Sequence, residues 1–380
     1  MGKDNNFRQL KIGIVLDDSL DKTDGIQQYV RSIGAWLTLE GHEVHYLVGQ
    51  TTASDLPNVH SLSKNVNVTF NGNKMSMPLP VSRRKLKQFL TSEKFDILHV
   101  QMPYSPWLAH RIILAAPAKT VIYGTFHIVA FSRLAQLATK ALAFWTRRSL
   151  KRFCEVVSVS SAAKDYAKLT YGISTTVLPN VFDYKRFNNA VRMRGKSADT
   201  LRILFLGRLV RRKGCQYLLE AVRLLKAQGQ TGFEVIVCGR GPLLSKLEAY
   251  AKTHALPVKF VGYVREEDKP AYYASADISV FPSTGGESFG IVLIEAMASG
   301  RSAVVAAANS GYASVLKDRP DLLVPPANAE KLAVKLTSLL QKKAERQSAA
   351  AWGAKYSQQF DAPIVGSKLL ERYNKCLRNK

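Results

Sequence analysis

Two carboxylates bracket a glycine turn in the stretch Gly285-Gly286-Glu287-Ser288-Phe289-Gly290-Ile291-Val292-Leu293-Ile294-Glu295-Ala296-Met297-Ala298-Ser299-Gly300. Ahead of it, Ile278-Ser279-Val280-Phe281-Pro282 reads as a short buried strand closed by a proline. A helix is expected from about Ser288, with Val292, Leu293, Ala296 and Met297 at helical spacing and Gly300 as its stop. A strand, a glycine turn and a helix start together form an anion site, because the first N–H groups of a helix have no internal partner and its dipole end is positive. The N–H groups offered would be those of Phe289, Gly290, Ile291 and Val292. Glu287, beside that positive end, should stay ionised and suits holding hydroxyls or opposing a cation better than donating a proton. Glu287 and Glu295 stand eight positions apart, roughly 12 Å along a helix, about the span from sugar to ribose in an extended nucleotide-sugar. The plainer reading makes Glu287 a helix-start carboxylate and Glu295 a solvated one.

Other candidate groups follow predicted strands. Leu201–Leu206 is an apolar run that ends in Gly207-Arg208, with Arg211-Arg212-Lys213-Gly214 close behind. A guanidinium and an ammonium there can neutralise a diphosphate, although a basic loop by itself is usually a solvated face. Gly124-Thr125-Phe126-His127 places a histidine at a strand end, where a lone histidine is usually structural. Gly25 opens a helix after the first strand, Lys11–Leu16, in the loop where ligands bind in folds of parallel strands.

The block from Gly285 to Gly300 resembles, nearly letter for letter, the Glu-x7-Glu block of retaining glycosyltransferases of family 4, above all the phosphatidylinositol mannosyltransferase group. The resemblance implies that Glu287 contacts a donor sugar and Glu295 the nucleotide ribose. It implies donor-phosphate roles for Arg208 and Lys213, which match the family's Gly-Arg and Lys-Gly pair, with Ser288, Phe289, Gly290, Ile291 and Val292 around the phosphate and Arg240 and Val264 near the nucleotide. His127 matches the Thr-Phe-His position near donor sugar and acceptor. Gly25 and Gln27 match the loop near the donor diphosphate, but Asp24 stands where the family carries a second glycine and would repel phosphate if it pointed inward. Pro179-Asn180-Val181-Phe182-Asp183-Tyr184-Lys185-Arg186-Phe187 resembles the family's hinge signature, with Val181 in place of a glycine.

The implied fold is α/β, the GT-B arrangement of two Rossmann-like domains facing a cleft. Residues 1–187 would bind the acceptor and residues 188–360 the nucleotide-sugar, with 361–380 a helix packing back on the first domain. Asn188–Thr200 fits a linker, and Ala349–Arg378 reads as one helical tail. At 380 residues the length suits two domains.

Charge narrows the partners. The chain carries 54 Lys and Arg against 29 Asp and Glu, a formal +25, and so seeks a polyanion. Nucleic acid would call for a reader motif or an aromatic platform, and neither is present. Arg83-Arg84-Lys85-Leu86-Lys87-Gln88-Phe89-Leu90 and the longer Phe131–Phe153 stretch both read as basic amphipathic helices of the kind that lie on anionic membranes. Packed helices with a charged outer face are the plainer alternative. Met1–Asn6 lacks an apolar signal core, and no window is apolar enough to span a bilayer. Cys154, Cys215, Cys238 and Cys376 form no C-x-x-C, which favours reduced thiols and a cytoplasmic protein peripheral to the inner face of the membrane.

Three functions compete. One is a retaining hexosyltransferase that moves a sugar from GDP-mannose or a UDP-hexose to a lipid-linked acceptor. The second is a soluble glycosyltransferase acting on a sugar or small metabolite. The third is a non-catalytic basic binding protein on a transferase fold. No cofactor beyond the substrate nucleotide-sugar and no metal is expected: Asp17-Asp18 follows the first strand without the spacing of an Asp-x-Asp site.

Overall fold

The computed structural model describes residues 8–21, 24–70, 73–130, 133–192 and 200–380. The amino-terminal segment discussed above and most of the proposed linker, 193–199, lie outside the described residues. The chain divides into two compact units, Met1–Val181 with Ala362–Lys380, and Phe182–Asp361.

In the first unit the strands are β1 (Lys11–Leu16), β2 (Glu43–Val48), β3 (Val59–Ser61), the hairpin β4 (Asn65–Phe70) and β5 (Asn73–Pro78), then β6 (Ile97–Val100), β7 (Val121–Phe126), β8 (Phe153–Ser158) and β9 (Thr176–Val177). The helices between them are α1 (Gly25–Leu39), α2 (Arg83–Glu93), α3 (Leu108–Ala115), α4 (Arg133–Leu150) and α5 (Ser161–Tyr171). Seven strands form one parallel sheet in the order β3-β2-β1-β6-β7-β8-β9, while β4 and β5 pair antiparallel by themselves. β1 is buried from Ile12 on and β6 throughout, His99 included, because helices cover both faces of a parallel sheet. The order reverses between β1 and β6, so the loops that follow them diverge and leave a crevice at the carboxyl edge.

The second unit repeats this logic. Its strands are β10 (Leu201–Leu206), β11 (Phe233–Cys238), β12 (Val258–Gly262), β13 (Ile278–Phe281), β14 (Ala303–Ala307) and β15 (Leu323–Val324), in the parallel order β12-β11-β10-β13-β14-β15. Its helices are α6 (Tyr184–Asn188), α7 (Cys215–Ala227), α8 (Leu244–Thr253), α9 (Lys269–Ser275), α10 (Ile291–Ala298), α11 (Ser310–Val315), α12 (Ala329–Gln341) and α13 (Lys343–Ser357). Here the reversal falls between β10 and β13.

The carboxyl end is not one helix. α13 stops at Ser357, a short 3-10 turn covers Gln358–Phe360, and α14 (Ala362–Arg378) begins afresh. The units divide at Val181/Phe182 and Asp361/Ala362, rather than at 187/188 and 360/361. α14 belongs to the first unit, where it packs on α1. A Cβ added at Gly366 would sit 2.3 Å from the Trp36 ring. Tyr373 hydrogen-bonds the buried His99 at 2.7 Å, and Arg372 pairs with Glu155.

The cysteines correct the expectation of reduced thiols. Cys154 of β8 and Cys376 of α14 form a disulfide, while Cys215 and Cys238 are free and buried. That bond removes the thiol argument for a cytoplasmic setting. It closes a loop of 222 residues and holds the last helix on the sheet. Removing it should lower unfolding stability by about 2–4 kcal/mol. The check is thermal melting of the protein with and without reductant beside a Cys154→Ser/Cys376→Ser variant. Identical midpoints in all three would show that the bond constrains nothing.

Candidate active site

In the second unit the loops after β10 and β13 lie side by side because those strands are neighbours at the reversal. After β10 the chain passes Gly207 and Arg208, then makes a 3-10 turn at Arg211–Lys213 that Gly214 ends with φ 77°. A Cβ on Gly214 would lie 2.0 Å from the Pro282 carbonyl oxygen, so only glycine lets the two loops close. The turn leaves Arg211 exposed and directs Arg212 and Lys213 toward the loop after β13.

Glu287 receives them. Its Oε1 accepts from Arg212 Nη1 at 2.5 Å, Lys213 Nζ at 2.8 Å and Ser283 Oγ at 2.8 Å. Arg212 also donates to the Gly285 carbonyl at 3.1 Å. Burial by itself would raise the Glu287 pKa, but Lys213 and Arg212, helped by the Ser283 bond, hold it down to about 2. Lys213 is pushed below the ordinary lysine value by burial. Glu287 favours its charge, and the Arg212 and Arg208 charges oppose it. Glu287 is therefore a fixed anion and a poor proton donor near neutrality.

The helix start differs from expectation. α10 begins at Ile291, not Ser288, because Gly290 takes φ 111° and a Cβ there would stand 2.6 Å from the Tyr312 ring. The leading N–H groups are those of Ile291 and Val292, both half-buried. Phe289 is turned into the core, edge-on to Phe360 at 5.5 Å. The straight-helix spacing between the two glutamates fails for the same reason, since Glu287 precedes the helix. Glu295 is 2% exposed and accepts from the Tyr273 hydroxyl at 3.2 Å. Burial raises its pKa, opposed chiefly by Lys269, which is itself paired with Glu266. Glu295 is thus not a solvated carboxylate. Arg240 is exposed after β11, and Val264 is buried just after β12.

In the first unit, His127 follows β7 and is 5% exposed. Its Nε2 lies 2.9 Å from Gln101 Oε1, and Gln101 Nε2 donates to the His99 carbonyl. That pattern places the proton on Nε2 and leaves Nδ1 as the acceptor nitrogen. Tyr29 stands edge-on to the ring at 5.1 Å. Burial lowers the His127 pKa to about 3, so the ring is neutral. Gly25 is exposed at the start of α1, and Gln27 turns inward to donate to the Ser19 carbonyl at 3.3 Å. Asp24 is the N-cap residue, but its side chain makes no capping bond. Asp17 accepts from Ala109 N–H at 2.6 Å and from Ser105, and Asp18 from Ser19 N–H at 2.7 Å, so both bind protein donors. Among the described residues no three His, Cys, Asp or Glu side chains gather as a metal site.

Sequence reasoning overlooked Arg212, Ser283 and Gln101. Arg212 lay within the basic run, but which cation turns inward depends on the 3-10 turn. Chemically, two half-buried cations beside a helix start suit an anionic phosphate group, and the neutral His127 suits a hydroxyl.

The low Glu287 pKa has a pH signature. A depressed carboxylate contributes stability that is complete above its ordinary value near 4.5 and lost as pH falls through about 2. Glu287→Gln should cost up to about 3 kcal/mol, constant from neutral pH down to about 5 and shrinking toward pH 2. Urea unfolding of both proteins across that range measures it, and a difference that persists undiminished at pH 2 would contradict the charge assignment.

Comparison with known proteins places these units. The Glycosyltransferase Family 4 model matches residues 23–186, and the Glycosyl transferases group 1 model matches residues 188–356. A phosphatidyl-myo-inositol mannosyltransferase of Mycolicibacterium smegmatis is 31% identical over 368 residues, covering 96% of this chain and 93% of its own. Among solved structures, sucrose-phosphate synthase from Thermosynechococcus elongatus superposes with a TM-score of 0.75 at 21% identity, covering 98% of this chain and all of its own. HepE of Anabaena, in complex with UDP and glucose, does so with a TM-score of 0.70 at 19% identity, over 97% of this chain and all of its own. The chain is a glycosyltransferase of GT-B fold and belongs to glycosyltransferase family 4.

Proposed function

We propose that the protein transfers a hexose from a nucleoside diphosphate sugar to a hydroxyl of a lipid-linked acceptor at an anionic membrane surface, with retention of anomeric configuration. The observation that carries the proposal is the Glu287 carboxylate held between Arg212 and Lys213 ahead of the α10 start. The lipid-linked acceptor and mannose as the first choice of sugar draw support from the mannosyltransferase relative, and UDP-hexose as the other donor from the HepE complex.

In this reading Arg208, Arg212, Lys213 and the N–H groups of Ile291 and Val292 bind the diphosphate. Ser288, Phe289 and Gly290 shape the turn beside it, and in the first unit Gly25 offers its exposed backbone to the donor diphosphate, with Gln27 bracing that loop through the Ser19 carbonyl. Arg240 and Val264 hold the nucleotide end and Glu295 the ribose, while Glu287 orients hydroxyls of the transferred sugar. The acceptor oxygen attacks the anomeric carbon from the face that the diphosphate leaves. As the new C–O bond forms and the sugar–phosphate C–O bond breaks, the acceptor proton passes to the departing phosphate oxygen. Preorganised cations at the developing charge supply the largest help to such a step. His127, neutral and with Nδ1 as acceptor, positions the incoming hydroxyl.

Membrane association rests on α2, whose Arg83, Arg84, Lys85 and Lys87 are all exposed while Leu86 and Leu90 are buried. No helix among the described residues is long and apolar enough to cross a membrane.

Two tests follow. Slow hydrolysis of GDP-mannose or a UDP-hexose without acceptor should fall at least about 100-fold in Glu287→Ala, and the first-formed sugar product should keep the donor's anomeric configuration by NMR. No turnover with any donor would favour a binding protein, and an inverted product would overturn the mechanism. Pelleting with phosphatidylglycerol vesicles should weaken when Arg83, Arg84, Lys85 and Lys87 are changed to Gln. Unchanged pelleting would remove α2 from the membrane face.

A further inference from the structure

We infer that α4 is a second membrane-docking element, one that inserts the Phe144 and Trp145 rings into the interfacial zone of an anionic bilayer. This deepens the membrane reading of α2 and rests on it.

The surface of α4 is unlike that of an ordinary outer helix. Phe144 is 77% exposed and Trp145 73% exposed, whereas Thr139, Thr146 and Ser149 are fully buried toward the protein. Thr139 bonds the Tyr166 hydroxyl at 2.6 Å and Ser149 bonds His110 at 2.9 Å, which fixes which face points inward. The opposite face carries exposed Lys140, Phe144, Arg147, Arg148 and Lys151 at helical spacing, with Trp145 beside them. Two large rings ringed by cations make an interfacial pattern: aromatic bodies seek the headgroup–acyl boundary while ammonium and guanidinium groups meet lipid phosphates.

Charge over a longer stretch names the occupant. Between Asp96 and Glu155 the chain has no Asp or Glu, but eight Lys and Arg. Four of those cations, Lys140, Arg147, Arg148 and Lys151, are exposed on the outward face of α4, which therefore repels a second copy of itself and attracts an anionic surface.

Topology then joins α4 to α2. The strand order β1-β6-β7-β8-β9 advances in one direction, so right-handed crossovers put α2, α3, α4 and α5 on one face of the sheet. The packing of α2 on α3, α3 on α4 and α4 on α5 agrees. α1 belongs to the step from β1 to β2 in the other direction, and α14 packs on α1, which places both on the opposite face. One bilayer can therefore meet both basic helices, with the aromatic pair on one and a purely cationic row on the other. α4 also begins six residues after His127, so a bilayer along it lies close in the chain to that histidine.

The test uses the full chain with vesicles of phosphatidylcholine containing or lacking phosphatidylglycerol, and with brominated acyl chains as depth-sensitive quenchers. Wild type should bind the anionic vesicles, with Trp fluorescence quenched by the brominated lipid. Trp145→Phe should still bind but lose most of that quenching. Phe144→Ser/Trp145→Ser should weaken partition at least about tenfold, with unchanged circular dichroism and melting temperature. Binding by that variant equal to wild type, or no quenching attributable to Trp145 in bound protein, would overturn the inference. So would a dimer by light scattering that the double variant converts to monomer, which would make the patch a self-association face. If the α2 variant alone loses vesicle binding while the α4 variants keep it, α4 is excluded and the α2 reading stands. If wild type binds no anionic vesicle, both membrane readings fail, and donor turnover still decides the transferase activity.

Discussion

The second unit depends on one carboxylate. Glu287 sits where two half-buried cations would otherwise repel each other, and by accepting from Arg212, Lys213 and Ser283 it lets all of them stay in one place. Burial works against the charge on Lys213, and the Glu287 carboxylate works for it. The neighbouring elements serve this cluster. β10 and β13 are adjacent only because strand order reverses there, Gly214 admits the Pro282 carbonyl, and Gly290 gives way to Tyr312. A group built this way is preorganised: its charges are in position before any ligand arrives, which is the condition under which electrostatic stabilisation is strongest.

The first unit solves a different problem, keeping a histidine neutral and still. Burial removes the charge from His127, and Gln101, itself tied to the His99 carbonyl, orients the ring. His99 bridges Thr125 and Tyr373, so a residue of the last helix braces β7, the strand that leads into His127. The disulfide between Cys154 and Cys376 secures the same helix a single turn further on. The carboxyl terminus is thus part of the scaffold of the amino-terminal unit, although the whole second unit lies between them in the chain.

Much of this was legible in the residues. Continuous apolar runs such as Lys11–Leu16 and Leu201–Leu206 have few alternatives to buried parallel strands, and the glycine turn with Glu287 carries its own anion chemistry. What escaped was whatever depends on backbone geometry or distant pairing. A helix start at Ser288 follows from composition, but the left-handed Gly290 moves it to Ile291. Arg212 is one of three adjacent cations, and only the 3-10 turn separates it from the exposed Arg211. No spacing rule joins cysteines 222 residues apart. The break in the tail was partly legible: Pro363, three residues past the turn at Gln358–Phe360, is a first-turn proline of the kind that opens a new helix.

The most direct measurement is calorimetric titration of UDP and GDP into wild type, Lys213→Met and Arg211→Met. If the cation pair on Glu287 seats the diphosphate, at least one nucleotide binds wild type with unit stoichiometry. Lys213→Met then weakens it at least about tenfold, while Arg211→Met, altered only at an exposed neighbour, binds as wild type does. Equal affinity in all three proteins, or no binding of either nucleotide to wild type, would contradict that assignment.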